Sequence, residues 1–542
     1  MAWWKEAVIY QIYPRSFQDS NGDGIGDLEG IIQRLDYLAG SKDSLGIDAI
    51  WLSPVYPSPM FDFGYDISDY EEIDPVFGDT QTFKRLLKEA HKRGIRIIMD
   101  LVVNHTSHLH PWFIESRSSV NSPKRDWYIW KQANHNGPPN NWLGAFGGSG
   151  WEYDKRTGEY YFHSFLKEQP DLNWRNPDVE DAIFRMMKYW LDMGVDGFRL
   201  DVVNLYVKDE FFRNNASYFM KGPRPYDKQV HTYDRDRPEM HGILRRMRKL
   251  LDSYSEKRMF VGEIMQDFPG NVLLPATYCG RNDELHLAFN FMFLFSPWKA
   301  ERFYQIVKDF ESALGEDNWP NYTLSNHDFP RHITRYEKGD ETLDRAKLAA
   351  CMMLTLRGTP FLYYGEEIGM KRQKVPFNKI QDPVGKRYWP FHPGRDPERI
   401  PMPWDGSDTT GFTTGKPWLP LYEDSNTLNV ESQKQDPNSL FFTYKKLIQI
   451  RKDRKSLRKG KLKILLSDDK QALYYRRRDG KEETYIFLNF SSKPVRVSYP
   501  RKWNLNQILF SSKNRNASFE LEKELDTGDL ILLPNEAVIF AK

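Results

Sequence analysis

Cysteine is nearly absent from this sequence. Only Cys279 and Cys351 occur among the 542 residues, far apart and without the spacing of a metal-binding motif. Such usage argues against a disulfide framework and a cysteine-ligated metal, and it is typical of free thiols in a reducing compartment. We therefore expect a cytoplasmic protein.

Long apolar runs are absent as well. No run approaches the roughly 18 residues that a membrane-spanning helix needs. The amino-terminal stretch MAWWKEAVIYQIYP also lacks a basic region followed by an apolar core. The sequence thus predicts a soluble chain that is not exported and has no membrane partner.

Neither sign of charge is in excess. Lys and Arg number 77 against 75 Asp and Glu, and no basic run is interleaved with aromatic residues, which argues against nucleic acid as a partner. Neither a Walker A nor a G-x-G-x-x-G motif is evident, which argues against phosphoryl transfer. Aromatic residues make up 15% of the chain, a content that suits stacking on sugar rings as well as large packed cores. We expect a small neutral substrate and a monomer or weak homo-oligomer.

What the sequence does contain is an alternation of short strands with helical patterns. Eight β-branched or aromatic runs are each followed by a helical pattern: AVIYQIY (7–13), DAIWLS (48–53), IRIIMDLVV (95–103), DGFRLD (196–201), RMFVGE (258–263), LAFNFMF (287–293), NYTLSN (321–326) and TPFLYYG (359–365). Alternation of this kind indicates parallel pairing, and eight units close most economically into a (β/α)₈ TIM barrel. An open doubly wound sheet is the alternative.

The barrel pattern is interrupted and then followed by other segments. We divide the chain into a first barrel part (1–103), an inserted subdomain rich in Trp, Asn and Gly (104–173), a second barrel part (174–459) with an irregular insertion at about 370–436, and a carboxyl-terminal antiparallel β domain (460–542). Insertions in the loops after barrel strands gather over one mouth of the barrel. These insertions are therefore expected to shape a site there.

Polar residues stand at the carboxyl ends of several predicted strands. They are Asp100, Asn104, His105, Arg199, Asp201, Glu263, His327 and Asp328. Barrel active sites are built from such strand ends, and Arg199 and Asp201, two residues apart on one strand, should lie side by side. Crowded carboxylates resist simultaneous ionisation, so one should hold a proton while a cation keeps another charged. Glycoside hydrolysis requires that division between an acid and a carboxylate.

Several linked motifs carry a family resemblance that spans essentially the whole chain. The motifs are DLVVNH (100–105), GFRLDVV (197–203), GE (262–263), NHD (326–328), GYDISDY (64–70) and QPDLNW (169–174). Together they resemble the α-amylase family of glycoside hydrolases, and most closely its oligo-1,6-glucosidase and α-glucosidase branch. The resemblance implies that Asp201 is the nucleophile, Glu263 the general acid and base, and Asp328 a stabiliser of the transition state.

The same resemblance implies the rest of a glucose pocket. Arg199 would keep Asp201 ionised and oriented, and the two acids would lie about 5–5.5 Å apart, as retention of configuration requires. His105 and His327 would donate hydrogen bonds to glucose hydroxyls. The other implied substrate-binding residues are Asp62 and Tyr65 at the closed end, Arg399 as the partner of Asp62, and Phe146, Phe165 and Gln169 as lining. A closed end favours exo cleavage of one glucose from short chains.

A loop near the amino terminus resembles a calcium site. The run DSNGDGIGD (19–27) matches the first nine positions of an EF-hand loop, but Gly30 stands where the bidentate glutamate would be. A plain Asp/Gly turn without metal is the alternative. The family resemblance implies a structural Ca²⁺ held by Asp19, Asn21, Asp23, the Ile25 carbonyl and Asp27, and no organic cofactor.

The motifs leave open which glucosidic linkage is cleaved and whether the glucose is hydrolysed or transferred. Val202 directly follows the nucleophile, and in related glucosidases a valine at that position is associated with cleavage of α-1,6 bonds. Phe329 and the run 283–298 instead resemble broad-specificity α-glucosidases with transfer activity. A transglucosylase or sucrose isomerase and a trehalose-6-phosphate hydrolase would share the catalytic acids. A non-catalytic sugar-binding homologue would lack one of those acids.

Overall fold

A computed structural model describes residues 2–135, 137–218, 224–266, 270–503, 505, 507–515 and 527–542. Its central sheet is parallel and contains β1 (Ile9–Ile12), β2 (Ala49–Leu52), β3 (Arg96–Leu101), β7 (Gly197–Leu200), β10 (Met259–Gly262), β11 (Leu287–Ala288) and β12 (Phe361–Tyr363). The hydrogen-bonded order is β11-β10-β7-β3-β2-β1-β12. Because both faces are covered, these strands are almost wholly apolar and buried.

The predicted seventh strand, 321–326, is not a regular strand. It forms a single parallel bridge, between Tyr322 and Asn290 of the neighbouring segment. On its other side the amide of Thr359 donates to the Pro320 carbonyl at 3.2 Å, and the Asn321 side chain donates to the Thr359 carbonyl at 2.8 Å. The barrel therefore closes through an irregular segment at 321–326, where side-chain hydrogen bonds replace part of the backbone hydrogen bonding between strands.

The predicted sixth strand is also shorter than expected, ending at Ala288 instead of 293. The Asn290 side chain accepts a hydrogen bond from the amide of Met292 at 3.0 Å and caps a short 3₁₀ turn over Phe291–Phe293. The aromatic residues that indicated a longer strand are instead buried in this turn. The Asn290 cap, together with burial of the rings, therefore outweighs β propensity in this segment.

The helices follow the strands as the alternation predicts. They are α1 (Leu28–Leu38), α2 (Thr80–Lys92), α3 (Pro111–Ser116), α4 (Pro177–Met193), α5 (Glu239–Asp252), α6 (Leu274–Thr277), α7 (Ala300–Leu314), α8 (His332–Arg335), α9 (Thr342–Thr355), α10 (Pro383–Tyr388), α11 (Val430–Gln435), α12 (Leu440–Asp453) and α13 (Lys455–Lys459). Side-chain caps begin several of them: Asp79 accepts from the amide of Thr82, and Ser439 from that of Phe442. None of the described helices is long and apolar enough to cross a membrane.

Two further sets of strands lie outside the barrel. The segment between β3 and α4 carries a small antiparallel sheet of β4 (Trp130–Lys131), β5 (Trp151–Asp154) and β6 (Glu159–Phe162), and the pair β8 (Ala216–Ser217) and β9 (Gln229–Val230) follows β7. The carboxyl-terminal strands are β13 (Lys461–Leu466), β14 (Ala472–Asp479), β15 (Glu482–Asn489), β16 (Val495–Pro500), β17 (Gln507–Ser511), β18 (Thr527–Leu532) and β19 (Ala537–Ala541). All their pairings are antiparallel. Both cysteines are buried and free.

Candidate active site

A single buried guanidinium organises the centre of the barrel mouth. Arg199, at the carboxyl end of β7, donates from Nη1 to Asp201 Oδ1 at 2.6 Å and to Asp100 Oδ1 at 2.8 Å. Its Nη2 donates to Glu263 Oε2. The predicted side-by-side placement of Arg199 and Asp201 is confirmed. Asp201 and Glu263 come from neighbouring strands, and each is bound by one of the two terminal nitrogens of the same guanidinium. Their carboxyl groups therefore lie next to the same space.

The protonation of these carboxyls follows from their burial. Burial, assisted by the charges of Asp201 and Asp328, raises the pKa of Glu263 to about 8 against the opposing charge of Arg199. Burial also raises the pKa of Asp201 to about 7, so that it outweighs the lowering effect of Arg199. Because Glu263 has the higher pKa, a proton shared by the two groups resides on Glu263. The site thus contains an acid beside a carboxylate.

Asp328 has the opposite character. Burial favours its neutral form, but the guanidinium groups of Arg395 and Arg399 hold its pKa well below the ordinary value for aspartate. Arg399 donates from Nη2 to Asp328 Oδ1 at 2.8 Å, and its Nε donates to the His327 carbonyl at 3.0 Å. Asp328 is therefore a permanent anion next to the acid pair.

Asp62 pairs with a different arginine from the one predicted. Arg395, not Arg399, pairs with Asp62, with Nη2 and Oδ1 at 2.6 Å, and its guanidinium also donates to Asp382 at 2.6 Å. The predicted pairing of Arg399 with Asp62 is wrong, because Arg399 is engaged by Asp328 and the His327 carbonyl. Two arginines four residues apart in GRDPER carry no sequence signal that assigns one of them to each aspartate.

The two predicted histidines lie in the same pocket as neutral imidazoles, since burial lowers the pKa of both. His327 stacks on the Tyr65 ring with centroids 5.4 Å apart, and its Nε2 lies 2.8 Å from Tyr65 Oη. His105 Nε2 lies 2.9 Å from the Tyr65 carbonyl and 3.1 Å from Gln169 Nε2. Gln169 in turn donates to Asp62 Oδ2 at 3.2 Å. The structure thus brings these predicted residues together.

The remaining predicted lining residues form an apolar wall. Phe146 and Phe165 lie with ring centroids 5.3 Å apart, and Arg395 stands 4.8 Å above the Phe146 ring. Val202 packs in the same cluster, together with Tyr226. Its φ of 37° is left-handed, an unusual conformation for a β-branched residue, which turns the chain directly after Asp201.

Sequence reasoning missed a buried lysine beneath the pocket. Lys208 is 2% exposed, and its ammonium lies 2.5 Å from Asp171 Oδ2 and 2.9 Å from Asn104 Oδ1. The Asn104 amide nitrogen also contacts His105 Nδ1 at 3.1 Å. This ammonium therefore links the barrel to the QPDLNW segment of the insertion. Its only sequence signal is a lysine directly after the apolar run VVNLYV.

In the loop predicted to bind calcium, the aspartate carboxylates accept hydrogen bonds from backbone amides of the same loop. Asp19 accepts from the amides of Asn21, Gly22 and Gly24, and Asp23 from the amide of Ile25. Asp27 caps α1 through the amide of Gly30. Within the described parts of the chain, no three His, Cys, Asp or Glu side chains are arranged to hold a metal. Ca²⁺ binding by this loop stays a prediction, and no catalytic step depends on it.

Comparisons with known proteins agree with this geometry. Residues 11–460 match the family model "Alpha amylase, catalytic domain". The chain is 41% identical to a probable alpha-glucosidase of Rhizobium meliloti (strain 1021), with 92% of this chain and 91% of that protein covered. It is 40% identical to an oligo-1,6-glucosidase of Parageobacillus thermoglucosidasius, with 99% and 98% covered.

Solved structures show the same fold over the full chain. The crystal structure of the alpha-glucosyl transfer enzyme XgtA has a TM-score of 0.91 and 38% identity, covering 100% of this chain and 99% of that one. Trehalulose synthase MutB has a TM-score of 0.90 and 34% identity, with 100% of both chains covered. By sequence alone, the chain is also 35% identical to a trehalose-6-phosphate hydrolase of Bacillus subtilis (strain 168), with 99% of this chain and 98% of that protein covered. The chain therefore belongs to the alpha-amylase family and is a glycoside hydrolase with a TIM-barrel fold.

Proposed function

We propose that this protein is a retaining, exo-acting α-glucosidase that removes terminal α-linked glucose from disaccharides and short oligosaccharides. The observation that supports this most directly is the shared contact of Asp201 and Glu263 with the Arg199 guanidinium. One carboxyl holds a proton and the other faces the same space, which is the pairing that a double-displacement glycosidase needs.

The proposed reaction proceeds in two steps. Asp201 attacks the anomeric carbon while Glu263 gives its proton to the departing glycosidic oxygen, so that a glucosyl ester forms on Asp201. Glu263 then takes a proton from water, whose oxygen attacks the same carbon and releases Asp201. The Asp328 anion stabilises the positive charge that develops on the sugar ring in both transition states.

The closed end of the pocket supports exo cleavage. Asp62 is bound by Arg395 and Gln169, and these groups together close the space beyond the sugar. The Phe146 ring lies under Arg395 and adds an apolar face to the same wall. A glucose at the non-reducing end can occupy such a pocket, whereas a chain that continues past it cannot.

The experiment that tests this function is a comparison of initial rates and of the anomer first released. Purified protein is given isomaltose, maltose, sucrose and trehalose, and proton NMR follows the product. We expect α-glucose as the first product, and a preference for isomaltose over maltose because the apolar Val202 offers no hydrogen bond to the leaving group. Release of β-glucose would contradict the retaining mechanism, and a strong preference for maltose would contradict the role of Val202.

The acid pair predicts a bell-shaped pH profile of kcat/KM. Activity should fall below about pH 7 as Asp201 gains a proton, and above about pH 8 as Glu263 loses its own. The two apparent values belong to the coupled pair. Initial rates at low substrate concentration across the pH range measure both limbs. Full activity persisting well above pH 8 would show that Glu263 is not the acid.

Transfer of glucose to another sugar is the second candidate. The full-length likeness to a protein described as an alpha-glucosyl transfer enzyme favours it, and it differs from hydrolysis only in the acceptor of the second step. Product analysis with sucrose distinguishes hydrolysis, transfer and isomerisation. A parallel assay with trehalose and trehalose 6-phosphate tests the phosphorylated substrate.

A further inference from the structure

A cleft lies on the outside of the barrel, between its helices and the carboxyl-terminal strands. Its lining comes from the loop before β2, from α9 and α12, and from the end of β17 and the residues that follow it. Its volume is about 720 Å³, within the roughly 300–1,000 Å³ that small-molecule sites occupy. None of the lining residues belongs to the active site. The cleft is therefore a separate space of a size that suits a small ligand.

Four lysines line this cleft: Lys42, Lys347, Lys445 and Lys446. We call them the lysine cluster. Among the described residues no aspartate or glutamate lines the cleft, although Lys and Arg number 77 against 75 Asp and Glu in the whole chain. Within the same described parts, none of the four ammonium groups forms an ion pair. The cleft therefore concentrates positive charge that its own lining does not neutralise.

Lys347 carries the buried charge of the cluster. It is 9% exposed, and its ammonium donates to the Asn438 carbonyl at 2.8 Å. Of the two carboxylates that act on it, Asp344 pairs with Lys513. The other, Asp436, accepts from the Asn438 amide at 2.9 Å. Burial lowers the pKa of Lys347, and the two carboxylates offset this effect only in part. Because a buried cation without a paired anion is costly, an anion that enters the cleft is stabilised there.

The cleft also contains hydrogen-bond donors that its own contacts leave unused. Ser41 Oγ accepts from the Asp43 amide at 3.2 Å, and Ser512 Oγ accepts from the Ala537 amide at 2.9 Å. Since each oxygen is the acceptor in these bonds, each hydroxyl proton remains for a ligand. Both serines line the cleft. The lining therefore offers neutral donors beside the cations.

Two aromatic rings complete the lining. The Lys445 ammonium lies 5.8 Å from the centroid of the Phe442 ring, and the Lys446 ammonium lies 5.8 Å from that of Phe510. Leu45 adds a further apolar surface. A ligand can thus pack a carbon skeleton on these side chains while its charged group meets the ammonium groups.

We propose that this cleft is a binding site for a phosphate group, either free or carried by a small molecule. Such a group has a charge of about −1.5 to −2 near neutral pH and presents three strong acceptor oxygens. The lysine cluster matches its charge, and the hydroxyls of Ser41 and Ser512 match its acceptors. The inference is independent of the proposed function, because the cleft and the active site share no residue.

The experiment is isothermal titration calorimetry of the full chain at constant ionic strength. The probes are inorganic phosphate, ribose 5-phosphate and ribose. We expect both phosphates to bind at one site and ribose to give no signal. Ribose 5-phosphate should bind about tenfold more tightly than inorganic phosphate if the rings contact its carbon skeleton, whereas equal affinities would assign the site to free phosphate. Both affinities should fall as salt is raised, because the ammonium groups are partly exposed to solvent.

Matched variants test the place of binding. The double variant Lys445→Gln and Lys446→Gln is expected to weaken both phosphates about 30- to 100-fold, and Lys347→Met about tenfold. Lys461, whose side chain is 86% exposed outside the cleft, provides the control Lys461→Gln. This control removes the same charge and should change the affinities less than about twofold. Circular dichroism checks that each variant is folded.

A labelling measurement on the wild-type protein needs no substitution. Lysines are acetylated briefly with and without inorganic phosphate, and mass spectrometry follows each site. Phosphate should slow the acetylation of Lys445 and Lys446 and leave that of Lys461 unchanged. The inference would be overturned by the absence of binding at millimolar phosphate, by equal binding of ribose, or by unchanged affinity in the folded double variant.

Discussion

Replacing Asp201 by asparagine is expected to lower kcat/KM at least about 10⁴-fold on every α-glucoside that the wild type cleaves. The amide has nearly the same shape and can still accept the hydrogen bond from Arg199, but it cannot form the glucosyl ester. Rates on p-nitrophenyl α-glucoside measure the loss, and circular dichroism checks the fold. Activity within tenfold of wild type would contradict the assignment of Asp201 as nucleophile.

The matching change at Glu263 should show a loss that depends on the leaving group. Glu263→Gln removes the transferable proton, which costs about 10²–10⁴-fold for a sugar leaving group. α-Glucosyl fluoride needs less protonation, so the ester should still form, and azide should restore turnover by attacking without a general base.

Glu367 provides a control for the effect of neutralising a buried glutamate. Burial raises its pKa to about 7, and it lies away from the site, accepting hydrogen bonds from Tyr10 at 2.7 Å and Tyr37 at 2.6 Å. Glu367→Gln is therefore expected to leave kcat/KM unchanged. A uniform loss for Glu263→Gln on all substrates, without rescue by azide, would contradict its role as acid and base.

Replacing Lys208 by methionine is expected to lower the free energy of unfolding by about 3–5 kcal/mol. The change keeps the length of the side chain but leaves the buried Asp171 carboxylate without its cation. Asp171 would retain only hydrogen bonds, such as the one from the Ser164 hydroxyl at 2.6 Å. Denaturant titration followed by fluorescence measures the shift in the transition of the unit that contains the pocket.

A double substitution separates lost charge compensation from lost packing. Lys208→Met combined with Asp171→Asn removes both charges and should recover part of the stability, because no uncompensated ion remains buried. The single Asp171→Asn variant completes the cycle. Additive losses in the double variant would show that the two groups are not coupled.

Much of the fold could be predicted from local sequence. Runs such as DAIWLS and IRIIMDLVV are short, apolar and followed by helical periodicity, so their strands were placed within a few residues. The segments around 290 and 321 were not, because Asn290 and Asn321 make side-chain bonds that compete with a backbone ladder. Strand propensity does not reveal that competition.

The sequence by itself determined which chemical groups stand at the strand ends. Side chains alternate between the two faces along a strand, and successive βα units lie next to each other around a barrel. Only the tertiary structure decided that Arg395 pairs with Asp62 while Arg399 pairs with Asp328, and that Glu263 holds a proton more tightly than Asp201. Salt-bridge partners and pKa values depend on distances between residues far apart in the chain and on the water excluded around them. These distances and this exclusion of water are fixed only when the chain has folded.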